Sequence, residues 1–209
     1  MSSIALAARQ PVLADRIFNR TLVTDLVLIA AGTAFTALLA QVTIPLWPVP
    51  ITGQTLAVLL VGATLGMARG AASLGLYLVL GLVGLPVYAP QDDGSHLTGF
   101  VALAAPSFGY IIGFVVAAAL VGWLSERTWD RKFLKALATF VGGSLVVFAF
   151  GLPWLAVVTQ ATLLQTYQWG LEPFIIGGLI KALIAALLLP AAWWGADKLA
   201  KRRAHDAAE

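Results

Sequence analysis

Residues 22–42 read LVTDLVLIAAGTAFTALLAQV, an apolar run whose only charge, Asp25, stands at its leading edge. Crossing the hydrocarbon core takes roughly 17 to 25 predominantly apolar residues in a helix, so this stretch is long enough to span a bilayer. Further runs occur at 54–68, 71–88, 105–124, 134–152 and 175–196. Together they predict an all-α integral membrane protein, a compact bundle of six transmembrane helices. The composition agrees: 60% of the 209 residues are hydrophobic and 11% are charged, against about 25% charged in an ordinary soluble domain.

The basic residues orient the bundle, because Lys and Arg collect in short cytoplasmic loops. With the N-terminus inside, Arg9, Arg16 and Arg20 fall on the inner side, followed by Arg69, then Arg127, Arg131, Lys132 and Lys135, then Lys198, Lys201, Arg202 and Arg203. The alternate segments 43–53, 89–104 and 153–174 carry no Lys or Arg, so twelve of the thirteen basic residues lie on one side. Both termini are expected in the cytoplasm: a tail over 1–21, the membrane domain over 22–197, and a basic tail over 198–209. The apolar stretch Ile4 to Ala8 is too short for a signal peptide, and Pro11 breaks the chain soon after it. A net charge of +3 and a pI near 9.5 do not by themselves signal nucleic acid, since no basic stripe with interleaved aromatics is present.

Between the runs, Pro45, Pro48 and Pro50 cannot propagate a helix and predict a folded or re-entrant segment before the short second span. Gly84-Leu85-Pro86 and Gly151-Leu152-Pro153 are read as helix stops. In the outer segment after the fifth span, Leu155, Val158, Leu163 and Trp169 alternate with Gln160, Gln165 and Gln168, as in an amphipathic helix lying across the outer face. Small residues four apart, Gly62/Gly66/Gly70, Gly109/Gly113 and Ala30/Ala34, predict close helix approach. The last of these pairs could instead serve a partner.

Catalytic equipment is missing. There is no cysteine, no Gly-x-Ser-x-Gly elbow, no His-Glu-x-x-His, and no Gly-x-x-x-x-Gly-Lys loop for phosphate. No cofactor is called for. Asp25 begins the first span, and Asp92, Asp93 and Glu172 belong to outer segments, so no acid is left inside the membrane to couple protons or sodium. Lys181 is the one ionisable residue well within a span. Seven residues from Phe174, at about 1.5 Å each, place it roughly 10 Å below the outer end. It either snorkels to the interface or contacts a ligand in a pocket open to the outside. Gly177 and Gly178 share its face and leave room beside it. Thr52, Gln54, Thr55, Tyr88, His96, Ser107, Tyr110 and Gln160 could supply hydrogen bonds to a small organic molecule in an apolar wall. A binding subunit energised from elsewhere, an autonomous facilitator for a small carboxylated solute, and a membrane scaffold all remain open at this point.

Five stretches narrow the choice. PVPITGQTLAVLLVGATLG (48–66), GAASLGLYLVLGLVGLPVYA (70–89), PSFGYIIGF (106–114), FGLPWLA (150–156) and PFIIGGLIKA (173–182) resemble the BioY family, the biotin-specific substrate-binding components of energy-coupling factor (ECF) transporters. The resemblance runs in order from about Ile29 to Ala186. It implies a six-helix protein that captures biotin near the outer face, and three partners: a transmembrane coupling subunit, which Ala30 and Ala34 would contact, and two ATPases. The family pattern on the last helix resembles Gly-Asp-x-x-Lys, whose Asp accepts ureido N–H groups. Here the run is Gly177-Gly178-Leu179-Ile180-Lys181, with the lysine kept and the carboxylate missing. Either a group such as Asp92, Asp93, Glu172 or Gln160 stands in for it, or the ligand differs. Ala105-Pro106-Ser107 likewise replaces a Gly-Pro-Thr pattern.

Overall fold

Glycine and proline divide the apolar runs into their helices. The computed structural model describes residues 10–91 and 93–206. In chain order its helices are α1 (Leu13–Ile17), α2 (Leu22–Ala40), α3 (Gln54–Leu65), α4 (Met67–Leu82), α5 (Phe108–Ser125), α6 (Phe133–Thr159), α7 (Leu163–Gly170) and α8 (Glu172–Asp206). Short 3-10 turns at Gly99–Ala104 and Trp129–Arg131 lead into α5 and α6. Thr21 caps α2 by accepting the Thr24 N–H at 3.1 Å. α3 ends at Gly66, whose φ of +84° suits a residue without a side chain. α4 ends before Gly84, at φ +105°.

Among the described residues, four helical stretches are long and apolar enough to cross a membrane: α2, α5, α6 and the stretch Leu163–Leu199 that includes most of α8. α3 and α4 are apolar but only 12 and 16 residues long. The proline-rich segment before α3 is a two-stranded hairpin, so the chain is mostly rather than wholly helical. β1 (Thr43–Ile44) pairs antiparallel with β2 (Ile51–Thr52), matching Thr43 to Thr52 and Ile44 to Ile51. The reading of Pro153 as a helix stop is overturned. α6 runs through it to Thr159 and ends at Gln160 in the left-handed conformation, φ 55°. Proline there forfeits one backbone hydrogen bond, and burial on either side holds the helix together: Gly151 lies against the Tyr110 ring and Leu155 is fully buried. The expected amphipathic piece is α7, while Leu155 and Val158 belong to α6.

α5 is the central post, packed on α3, α4 and α6. Its small residues let backbones touch. A Cβ built on Gly109 would lie 2.2 Å from the Trp154 Cβ, and one on Gly62 would lie 2.7 Å from the Ala118 carbonyl oxygen. We expect Gly109→Val to cost at least the 1–3 kcal/mol typical of overpacking, roughly, because α5 and α6 must part before the side chain fits. Thermal unfolding in detergent, compared with Gly142→Ala, where a Cβ meets nothing within 4 Å, checks this.

The N-terminal segment is more than a tail. Val12, Leu13 and Ala14 are buried, and α1 packs on α3 and α8. Arg69, itself buried, donates through Nη2 to Asp15 Oδ1 at 2.6 Å and through Nη1 to Asp25 Oδ1 at 3.1 Å. Arg16 pairs with Asp197 on α8 at 3.1 Å. At the same end the Trp193 indole donates to the buried Asp130 carboxylate at 2.6 Å, and Arg131 stacks on that indole at 4.1 Å. Desolvation pushes the Asp130 carboxyl upward from its ordinary range, against the lowering effect of the indole. On the C-terminal side, where a tail from 198 is expected, α8 stays helical to Asp206. The expectations for residues 1–9, Arg9 among them, and for residues 207–209 lie outside the described residues.

Candidate ligand-binding site

At the end of the bundle away from α1, the hairpin folds over the start of α3. The Gly53 N–H donates to the Val42 carbonyl at 2.9 Å. Gly53 sits so near Leu39 that a Cβ there would come 2.7 Å from its carbonyl oxygen. This approach delivers Thr52 and Gln54 to the bundle interior. The Thr52 hydroxyl donates to Gln54 Oε1 at 2.8 Å, and the Gln54 amide donates to the Tyr77 hydroxyl at 2.6 Å. Lys181 reaches across from α8. Its Nζ donates to the Thr52 carbonyl oxygen at 2.5 Å and to Thr55 Oγ1 at 3.1 Å. The ammonium thus points toward the hairpin and the start of α3, where its partners are neutral oxygens.

These groups line a chamber whose empty space, open mouth included, is about 950 Å³. Phe108, Phe114, Phe148 and Phe174 give it an apolar wall. Tyr110 is fixed by donating its hydroxyl to the Gly170 carbonyl at 2.8 Å, and Tyr88 by donating to the Leu78 carbonyl at 2.6 Å. Trp154 donates to the Ala105 carbonyl at 3.1 Å, which ties the loop before α5 to α6.

Seven of the eight residues expected to bind line this one chamber: Lys181, Gly177, Gly178, Gln54, Thr52, Tyr88 and Tyr110; Thr55 and Ser107 join them. Gln160 does not. It terminates α6 in an exposed position and donates to the Val157 carbonyl at 2.7 Å. His96 is also outside the lining, its Nδ1 engaged with the Tyr88 carbonyl oxygen at 2.8 Å. Asp93 and Glu172 do not line the chamber, so neither stands in for the absent carboxylate; Asp92 lies outside the described residues. Sequence reasoning missed Gln91, Ser144 and Phe148. A serine inside the run FVGGSLVVFAF (140–150) was a usable signal for Ser144. Phe148 carried none, since an aromatic in an apolar helix serves equally as core.

An apolar chamber among long apolar helices, holding one ammonium and a few neutral hydrogen-bonding groups, defines a membrane-embedded receptor for a small solute. Residues 9–198 match the BioY family, and the chain belongs to it. A biotin transporter BioY of Rhizobium etli is 35% identical, aligned over 78% of this chain and 90% of its own length. Another, from Thermotoga maritima, is 35% identical over 77% of this chain and 92% of its own. A crystal structure of the S-component for biotin from an ECF-type ABC transporter superposes with a TM-score of 0.69 at 28% identity, covering 84% of this chain and 93% of that one. The chain is accordingly a multi-pass protein of the cell membrane and a transport component rather than an enzyme.

Proposed function

We propose that this chain is the substrate-binding subunit for biotin of an ECF importer, capturing the vitamin at the outer face for ATP-driven uptake. The observation that carries the reading is the chamber around Lys181, built by the segments that resemble the biotin-binding family and lying at the end of the bundle opposite the basic residues. α3 and α4 are its second and third crossings, short ones, which gives six in all with both termini in the cytoplasm. Arg69, Arg131 and Arg16, which share one end with α1, support that orientation under the positive-inside rule. Lys181, Thr52, Gln54, Tyr88 and Tyr110 act as ligand contacts, and Gly177 and Gly178 make room for the ligand.

The chain has no phosphate-binding loop, so energy comes from two ATPases acting through a coupling subunit. α2 offers the surface for it. Gly32, Thr33 and Thr36 face inward, while Ala30 and Ala34 are exposed beside Leu26, Val27 and Leu38. Small side chains there permit a partner helix to approach closely. The test is uptake of labelled biotin into proteoliposomes containing this protein with or without a coupling subunit and its ATPases. Uptake that needs both the module and ATP is the expected result. Equal uptake by the protein alone would replace this reading with that of an autonomous facilitator.

A further inference from the structure

The turn between α5 and α6 sorts its charges by sign. Residues 126–135 read ERTWDRKFLK, two acids among four bases. Both acids are buried and engaged: Glu126 Oε1 accepts the Met67 N–H at 2.7 Å, and Asp130 Oδ2 accepts the Trp193 indole N–H at 2.6 Å. Arg131 also turns inward, donating to the Pro11 carbonyl at 3.0 Å. Arg127, Lys132 and Lys135 are left exposed on the outside, and among the described residues none of them pairs with a carboxylate. A loop of mixed sign in the sequence therefore presents positive charge to its surroundings.

Two of these cations are held in place. The Arg127 guanidinium lies 3.6 Å from the centre of the Trp123 ring and donates to the Trp123 carbonyl at 2.9 Å, and Lys135 Nζ lies 5.6 Å from the centre of the Trp129 ring. Stacking on an aromatic face steadies a cation without neutralising it. Trp123 and Trp129 are themselves partly exposed, as are Phe133 and Leu134 at the start of α6. Tryptophan favours the boundary between hydrocarbon and headgroups, and the turn joins two helices long enough to cross the membrane, so it stands at that level. The surface proposed for the coupling subunit lies elsewhere, since α2 packs on α3 and α4 while the turn is held by α5, α6 and α8. That leaves the bilayer to cover the turn.

We infer that the α5–α6 turn binds the headgroup phosphate of an anionic phospholipid, in the leaflet that meets this end of the bundle. Arg127, Lys132 and Lys135 supply charge-assisted hydrogen bonds to the phosphate, and the acyl chains lie along the exposed apolar start of α6. A zwitterionic lipid carries its own cation beside the phosphate and gains less from the basic cluster. The site is separate from the chamber around Lys181 and stands whether or not that chamber takes biotin.

The test uses the full chain in nanodiscs of phosphatidylcholine with a small fraction of phosphatidylglycerol, and native mass spectrometry identifies the lipids the protein retains when the disc is stripped. We expect phosphatidylglycerol to be enriched about tenfold or more over its share of the disc, with Lys132→Gln or Lys135→Gln each lowering the enrichment about fivefold. The Arg127→Gln/Lys132→Gln/Lys135→Gln triple variant should retain lipid in the disc's own proportions; should it not fold, the two single variants carry the test. Arg20→Gln removes a charge that is exposed at the same end but paired with Asp15, and should leave the enrichment unchanged. Absence of enrichment in the wild type would overturn the inference and leave an acidic protein surface as the partner for the turn. An equal loss in Arg20→Gln would also overturn it, by showing that the charge of this end as a whole attracts the lipid. Release of the lipid by soluble glycerophosphoglycerol at matching concentration would do the same, by showing that a free phosphodiester suffices.

Discussion

Lys181→Ala should weaken biotin binding by about 30-fold to several thousand-fold, the range set by the roughly 2–5 kcal/mol lost when one partner of a buried, charge-assisted contact is removed. The ammonium is the only charged side chain among the described residues lining the chamber, so no neighbour takes its place. Its present partners, the Thr52 carbonyl and the Thr55 hydroxyl, are neutral, and removing the lysine leaves no unpaired charge behind. The fold should therefore survive with a small change in melting temperature. Lys181→Arg should not restore affinity, because a planar guanidinium is wider than an ammonium and directs its donors in a fixed fork. Calorimetry on the nanodisc protein, with thermal unfolding alongside, separates loss of the contact from loss of the fold. Unchanged affinity in Lys181→Ala would remove Lys181 from the site.

Arg69→Met should have the largest effect on stability, about 3–5 kcal/mol, as expected when a buried ion pair loses one member. Arg69 is 6% exposed, and the side chain of its partner Asp15 is 8% exposed. Arg20 remains as a cation for Asp15, at 2.9 Å, but it is half exposed and worth less. Adding Asp15→Asn to Arg69→Met should recover part of the loss, since the stranded charge is then gone. The pH dependence comes from the same contacts. Burial pulls the Asp15 carboxyl upward, and hydrogen bonds from Arg20, Arg69 and the Val12 N–H outweigh it, holding the group below its usual 3.8. A depressed carboxylate stabilises the folded state fully above its unfolded value near 4 and ceases to do so as pH falls through the lower folded value. The advantage of the wild type over Asp15→Asn should accordingly be complete at pH 6 and shrink below about pH 4. Melting temperatures measured between these limits check it; an advantage that grows with acidity would mean that the carboxylate is not held by the arginines.

These two residues also differ in how far the chain's linear pattern reveals them. Lys181 was legible from sequence because a single charge inside an apolar run must have a reason. Arg69 reads in sequence as one more basic residue at a helix end, and its burial under α1 shows only when Asp15 and Asp25, 54 and 44 residues away, fold onto it. Gln160 is the converse case. Its spacing with Gln165 and Gln168 favours the outer face, yet the left-handed turn at the end of α6 directs it back to its own helix.

The membrane setting, the helical runs, the one-sided ladder of basic residues, the glycine contacts and the family could all be read before any fold was known. Each is encoded locally, in hydropathy, in four-residue spacing or in short motifs. Which polar groups meet is a matter of three-dimensional packing. The Thr52 carbonyl and the Lys181 ammonium are 129 residues apart, and they come together because the hairpin folds over α3 while α8 packs along it. The same packing carries α6 through Pro153. Local pattern specifies which face of a helix is apolar; where that face finds its partners depends on the whole chain closing at once, and the ligand site is made of those meetings.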